Sequence, residues 1–178
     1  CDGVIAVSHF VRSLLINSGV PGERIDVIPD GIEIPDELPT PAERAAARAN
    51  WGFGEQEFIL GHVGAFTQEK GQDVAAAAMR LLADKLPGAR LLLVGNPPQD
   101  FRAKVEEQSH HAAGRVKFLG ELEDLAEFFA GIDLFIMPSR AEGLGSAALL
   151  AMAQGRAVVA SRVGGLPEIV EPGRSGWL

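Results

Sequence analysis

Short runs of aliphatic and β-branched residues alternate along the chain with longer amphipathic or alanine-rich runs. Segments 3–8 (GVIAVS) and 25–29 (IDVIP) read as strands, and Ser8 is placed to cap a helix running to about Asn17. Residues 32–41 carry three prolines in ten positions and read as a linker. Thr40, Pro41 and Glu43 then form a capping box, with proline at the first helical position of a short helix. From residue 57 the alternation becomes regular. Strands are expected at 57–64, 89–95, 115–120, 133–139 and 157–161. Between them the spacing predicts helices over about 71–86, 99–112, 123–131 and 144–154, and the chain ends in GGLPEIV and a stub, SGWL. The strand segments are near-continuous apolar runs, so both sheet faces should be covered by helices. Strands alternating with helices predict an α/β fold with a doubly wound, Rossmann-like parallel sheet.

Composition narrows the picture only modestly. The 178 residues suffice for one domain, or for one domain and part of another, and 47% hydrophobic with 22% charged residues is a globular balance. Cys1 is the single cysteine, so there is no disulfide framework and no cysteine-based metal site, which fits a cytoplasmic setting. A net charge of −8 argues against nucleic acid or an anionic membrane as the main partner. No apolar run approaches the roughly 20 residues of a membrane span, and the start lacks a signal-peptide pattern. The chain begins without Met just ahead of an expected strand, which implies that it belongs to something longer.

The candidate chemistry gathers at one edge. In open α/β sheets, ligands bind beyond the carboxyl ends of the strands. Those ends carry Gly64, Gly95, Gly120, the loop 139–145 (SRAEGLG) and the loop 161–165 (SRVGG), which includes Gly164 and Gly165. Glycines let backbone amides approach a ligand, and helix N-termini facing the same crevice suit phosphate. A tight turn is the plain alternative for any one of these glycines, but not for five on one edge. Lys70, just before a helix, is placed to meet a phosphate oxygen, and Glu142 to accept hydrogen bonds from hydroxyls. Arg140 and Arg162 are weaker phosphate candidates, and Asn96 could line the pocket from the second loop. His62, inside a strand, reads as a core or sheet histidine. Adjacent His110 and His111 point about 100° apart on a helix, a poor metal arrangement. The acids at 123–127 read as helix N-terminal charge, and no Ser-His-Asp or Cys-His set is apparent.

Eight stretches, in order and with family spacing, resemble the C-terminal, donor-binding half of a GT-B glycosyltransferase of the retaining family-4 type. They are VIAVSHFVRSLL, RIDVIPDGIE, GHVGAFTQEKG, PGARLLLVG, RVKFLGEL, DLFIMPSRAEGLG, ALLAMAQGRAVVAS and GGLPEIVEPGRSGWL. The resemblance implies that residues 1–31 are the tail of an N-terminal Rossmann domain and 32–56 a linker with a short helix. Residues 57–178 would then be a C-terminal nucleotide-sugar-binding Rossmann domain, truncated at its end. It implies a nucleoside diphosphate sugar, UDP- or GDP-linked, as substrate and no metal or other cofactor. By motif position Lys70 would meet the diphosphate and Glu142 the hydroxyls of the transferred sugar. The amides of Gly143, Leu144 and Gly145 would hold sugar and phosphate oxygens, and the loop after RVKFLG would approach the base. The acceptor, a glycan, lipid or small molecule, would sit mainly on the absent N-terminal half, so this fragment alone would not transfer sugar. The whole protein would be cytoplasmic or on the cytoplasmic face of a membrane.

Three positions depart from the family pattern. Ala65 stands where an arginine usually flanks the diphosphate, Leu150 where a second glutamate usually binds the ribose hydroxyls, and Asp30 where the family has asparagine. Ala65 and Leu150 leave open a degenerate, binding-only or regulatory domain. The run GLGSAA (143–148) also fits Gly-x-Gly-x-x-Ala after a strand, which leaves an NADP-binding oxidoreductase domain as a further alternative.

Overall fold

The computed structural model of the chain describes residues 2–109 and 114–178, and in it the apolar runs form two parallel sheets. The first is small: β1 (Val4–Ala6) pairs with β2 (Ile25–Val27) across α1 (His9–Asn17). The N-cap Ser8 Oγ accepts the Val11 N–H at 3.0 Å, as its position before the apolar run predicts. Residues 28–40 form no regular element and lead to α2 (Pro41–Asn50), where both halves of the Thr40–Glu43 capping box are made.

The second sheet holds β3 (Phe58–Val63), β4 (Ala89–Val94), β5 (Val116–Gly120), β6 (Leu134–Met137), β7 (Ala157–Ala160) and β8 (Gly176–Trp177). Its order is β5-β4-β3-β6-β7-β8 and every pairing is parallel. The connections carry α3 (Gln72–Leu82), α4 (Gln99–Gln108), α5 (Ala126–Gly131), α6 (Ser146–Ala153) and α7 (Leu166–Ile169). Successive residues of β4 feed opposite faces. Leu92 joins Ile59, Phe128, Phe135 and Val158 on one side, while Leu91 and Leu93 join Leu60, Ala76, Met79 and Val105 on the other. That arrangement explains the unbroken apolar strands.

Several boundaries differ from the sequence reading. α3 ends at Leu82 and not near 86; residues 83–85 follow as a turn, and the Leu86 N–H donates to the Leu82 carbonyl at 2.8 Å. α5 begins at Ala126; Glu123 and Asp124 precede it, and Asp124 Oδ1 accepts the Ala126 N–H at 2.8 Å. The terminal stub contains β8, which pairs with β7 through Val158 and Val159. The expected helix end near 112 and the His110–His111 pair lie outside the described residues.

Asp133, just ahead of β6, fastens α2 to the sheet. It receives Arg44, Arg48 and, at 2.7 Å, the Ile59 N–H. Among the described residues no helix is long and apolar enough to cross a membrane.

Candidate functional site

The chain winds outward in opposite directions from β3 and β6, with β4 and β5 on one side and β7 and β8 on the other. The carboxyl ends of β3 and β6 therefore bound the crevice where such sheets bind ligands. After β3 the backbone passes Gly64 and Ala65, makes one 3-10 turn over Gln68–Lys70, and enters α3. After β6 it makes the loop of Ser139 to Gly145 and enters α6. Lys70 and Glu142 meet across the crevice. The ammonium donates to Glu142 Oε1 at 2.7 Å, and Ser139 Oγ donates to the same oxygen at 3.0 Å. Glu142 is 7% exposed and Lys70 31%, so the carboxylate forms the wall and the ammonium faces the opening.

Arg140 is not the free phosphate cation its position promised. Its guanidinium holds both carboxylate oxygens of Asp73, at 2.9 and 3.1 Å, and the Gln68 carbonyl at 2.7 Å. Its backbone N–H donates to the Glu69 carbonyl at 2.6 Å, and Lys104 adds a second cation on Asp73 at 2.9 Å. Burial alone would raise the Asp73 carboxyl, but the hydrogen bonds and charges of Arg140 and Lys104 outweigh it and hold the group at about 2. Arg140 thus ties the turn bearing Lys70 to the loop bearing Glu142. Nothing in the local sequence announces this pairing, because its partners are 67 residues apart.

Gly164 and Gly165 pack backbone to backbone against the loop that bears Glu142. A Cβ on Gly164 would stand 1.8 Å from the Glu142 carbonyl oxygen, and one on Gly165 2.4 Å from that of Gly143. With the Gly165 N–H donating to the Glu142 carbonyl at 3.3 Å, the 161–165 loop supports the carboxylate-bearing loop backbone to backbone. From the other side Ser8 Oγ donates to the Gly143 carbonyl at 2.6 Å. Among the described residues no acceptor meets the N–H groups of Gly143, Leu144 or Gly145, although the Leu144 side chain is buried. These amides open α6, where the positive end of the helix dipole lies. Leu150, on α6, is half-buried and packs against the core around Phe135.

A cleft of about 460 Å³ adjoins the crevice at the ends of β3, β4 and β5. Gly64, Ala65, Gly95, Asn96, Glu121 and Leu122 line it, so Gly64, Ala65 and Asn96 come together there. Asn96 Nδ2 donates to Glu121 Oε2 at 3.0 Å, which adds a carboxylate that the sequence reading did not single out. The Ala65 carbonyl accepts from Gln72 Nε2 at 2.8 Å, fixing this strand end to α3. Arg162 is exposed and forms no ion pair among the described residues. A larger cleft, about 500 Å³, lies between linker residues such as Leu38 and helices α2 and α5, and contains none of these strand-end residues.

His62 is buried in β3, as expected of a sheet histidine. Its Nδ1 lies 2.9 Å from the Ile136 carbonyl of β6, and its ring stacks on Phe135 at 6.3 Å and 10°. Burial is the main cause holding the ring near 4, far below the usual imidazole value, and it is therefore neutral around pH 7. Its Nε2 is buried and has no hydrogen-bond partner among the described residues.

Comparison with known proteins agrees with this geometry. The family described as glycosyl transferases group 1 matches residues 57–178. A D-inositol 3-phosphate glycosyltransferase of Mycobacteroides abscessus is 35% identical over 162 residues, which are 87% of this chain and 35% of that protein. An N-acetyl-alpha-D-glucosaminyl L-malate synthase of Bacillus anthracis is 32% identical over 178 residues, 99% of this chain and 46% of that protein. Among solved structures, Anabaena Alr3699/HepE in complex with UDP and glucose superposes with a TM-score of 0.90 at 30% identity. It covers 100% of this chain and 49% of its own. The same protein in complex with UDP-glucose gives 0.89. The chain spans half or less of the length of these relatives.

Proposed function

Because the chain belongs to the group 1 glycosyl transferase family, we propose that it is the donor-binding half of a retaining glycosyltransferase that takes a nucleoside diphosphate sugar. In this reading residues 1–31 complete an N-terminal Rossmann domain, 32–56 link the halves, and 57–178 hold the donor. The observation that carries it is the Lys70–Glu142 pair at the sheet's switch point, beside the partner-free amides of Gly143 to Gly145. A diphosphate entering the crevice draws Lys70 away from the carboxylate, and Glu142 is then free to accept sugar hydroxyls. As the bond from the anomeric carbon to the diphosphate breaks, negative charge grows on the leaving oxygens. Lys70 and the α6 amides stabilise that charge, a fixed-dipole effect that calls for no bound metal. The nucleoside takes the cleft lined by Asn96 and Glu121. The UDP and UDP-glucose complexes of a protein 30% identical to this chain favour a uridine nucleotide.

The acceptor, a glycan, lipid or small molecule, binds mainly on the other half, so this half alone performs no transfer. The whole protein works in the cytoplasm or on the cytoplasmic face of a membrane. The test is a calorimetric panel of UDP, GDP, ADP and NADP. Binding of one diphosphate nucleotide, weakened by Lys70→Ala, supports the reading; binding of NADP alone overturns it. Ala65 and the core-packed Leu150 favour a second reading, a binding-only or regulatory domain without turnover. If no nucleotide binds in the panel, that second reading gains support.

A further inference from the structure

We propose that His62 is a positioning residue for Lys70, its Nε2 serving as the neutral acceptor that receives the Lys70 ammonium when Glu142 is engaged by ligand. The proposal rests on the crevice being a donor site, but its geometry stands without a nucleotide. A carbonyl oxygen only accepts, so the contact to Ile136 puts the ring proton on Nδ1 and leaves a lone pair on Nε2. That lone pair is buried and unpartnered, which is costly and uncommon unless something completes it in another state.

The surroundings identify what completes it. A Cβ placed on Gly64 would stand 3.9 Å from His62 Nε2 and 4.0 Å from both Cγ and Cδ of Lys70. The ring nitrogen and the lysine stem therefore border one gap above Gly64, in the wall of the candidate site. The charges that act on the ring from its neighbours are those of Lys70 and Glu142. Burial disfavours a second ring proton, which would also stand beside an ammonium, so Nε2 persists as an acceptor around neutral pH. Stacking on Phe135 and the Ile136 contact hold the ring in one orientation.

Lys70 has three N–H donors on a flexible four-carbon stem. One of these donors is fixed by Glu142. Once a donor sugar takes that carboxylate, the ammonium would lose the one anchor it has among the described residues, at the moment it must face phosphate. His62 gives it a second anchor that carries no charge. A neutral acceptor leaves the ammonium's charge undiminished for the diphosphate, whereas a carboxylate would cancel it.

Two measurements on the chain test this. In protein labelled with nitrogen-15 at histidine, Glu142→Ala, which removes the acceptor oxygens, should release Lys70 without any ligand. The His62 Nε2 resonance is then expected to move from that of a bare acceptor toward that of a hydrogen-bonded one, and adding Lys70→Ala should reverse the move. An Nε2 resonance unchanged by Glu142→Ala overturns the proposal, whatever binds. In the second measurement, with UDP-glucose as probe, His62→Leu should weaken binding about tenfold, the size expected for one hydrogen bond to a charged group. His62→Gln, whose side-chain oxygen can accept at similar reach, should stay within about threefold of wild type, with thermal melts reading any loss of folding separately. Wild-type affinity in His62→Leu also overturns the proposal. If the resonance moves as expected but the wild-type chain binds no nucleotide, the donor-site reading fails while the His62–Lys70 link stands.

Discussion

Lys70 and Glu142, 72 residues apart, neutralise each other at 2.7 Å across the crevice between β3 and β6. An anion entering the crevice must therefore compete with a largely buried carboxylate for the ammonium. Lys70→Ala should weaken binding of a nucleoside diphosphate by about 10- to 100-fold, the range for losing a hydrogen bond between charged groups. If the donor-site reading holds, Glu142→Ala in the full-length protein should lower kcat/KM by about 10- to 100-fold. Calorimetry with UDP and steady-state rates check the two effects. Undiminished binding in Lys70→Ala would move the phosphate site elsewhere.

Acid should weaken the fold in two separate windows. His62 has a folded-state value near 4, depressed from 6.5, so the unfolded chain takes up its proton first. Stability from this group is whole above about pH 6.5 and falls as pH drops toward 4, by about 3 kcal/mol in total. Asp73, lowered from 3.8 to about 2, contributes stability that is present above about pH 4 and lost as pH falls through 2. Its share is about 1–2 kcal/mol once the partly exposed Arg140 and Lys104 are discounted for solvent screening. Denaturant melts at stepped pH should show the upper window vanish in His62→Gln and the lower one shrink in Arg140→Ala. Coincident loss of both in either variant would refute the assignment.

Gly164 and Gly173 both have positive φ, 58° and 80°, yet their neighbourhoods differ. An added Cβ at Gly173 meets nothing within 4 Å, so Gly173→Ala should cost only the strain of left-handed backbone, about 1–2 kcal/mol. At Gly164 the Cβ would collide with the Glu142 carbonyl, so Gly164→Ala should cost at least about 3 kcal/mol and also weaken UDP binding. Melting and calorimetry on the two variants give the comparison. Equal losses would mean that the loop behind Glu142 yields freely.

Restoring the two family residues should strengthen the site if the crevice holds a nucleotide. Ala65 is exposed in the cleft, and Ala65→Arg should raise UDP affinity by about tenfold. Leu150→Glu should favour UDP over its 2′-deoxy counterpart, at some cost in stability because Leu150 packs against the core. Competition binding with the two nucleotides reads the preference. Indifference to the ribose hydroxyl would separate α6 from the nucleoside.

What the sequence made legible was local. The Ser8 cap, the Thr40–Glu43 box and the apolar strand runs depend on neighbours a few residues away, and all were formed as expected. Lys70 and Glu142 were readable as candidates because both stand at strand ends of a recognisable alternation. Their mutual contact was not, nor was the capture of Arg140 by Asp73, since both depend on which strands the sheet places side by side. Gly164 and Gly165 read as ligand-facing glycines, and the structure adds that both let two loops touch. A glycine is read alike in either case, because the missing side chain does not say which neighbour needs the room. His62 was read as buried, which it is; that one of its nitrogens is unpartnered is visible only once Ile136 and Lys70 have their places.

The first helix offers a last consequence. The amide N–H groups of His9 and Phe10 donate to the two oxygens of Glu168, at 2.9 and 2.8 Å, while Ser8 donates to the Gly143 carbonyl. The start of α1 is thus riveted to α7 and to the loop ahead of α6. Through the first turn of α1, the small two-stranded sheet is thus anchored directly to the loop that bears the site's carboxylate.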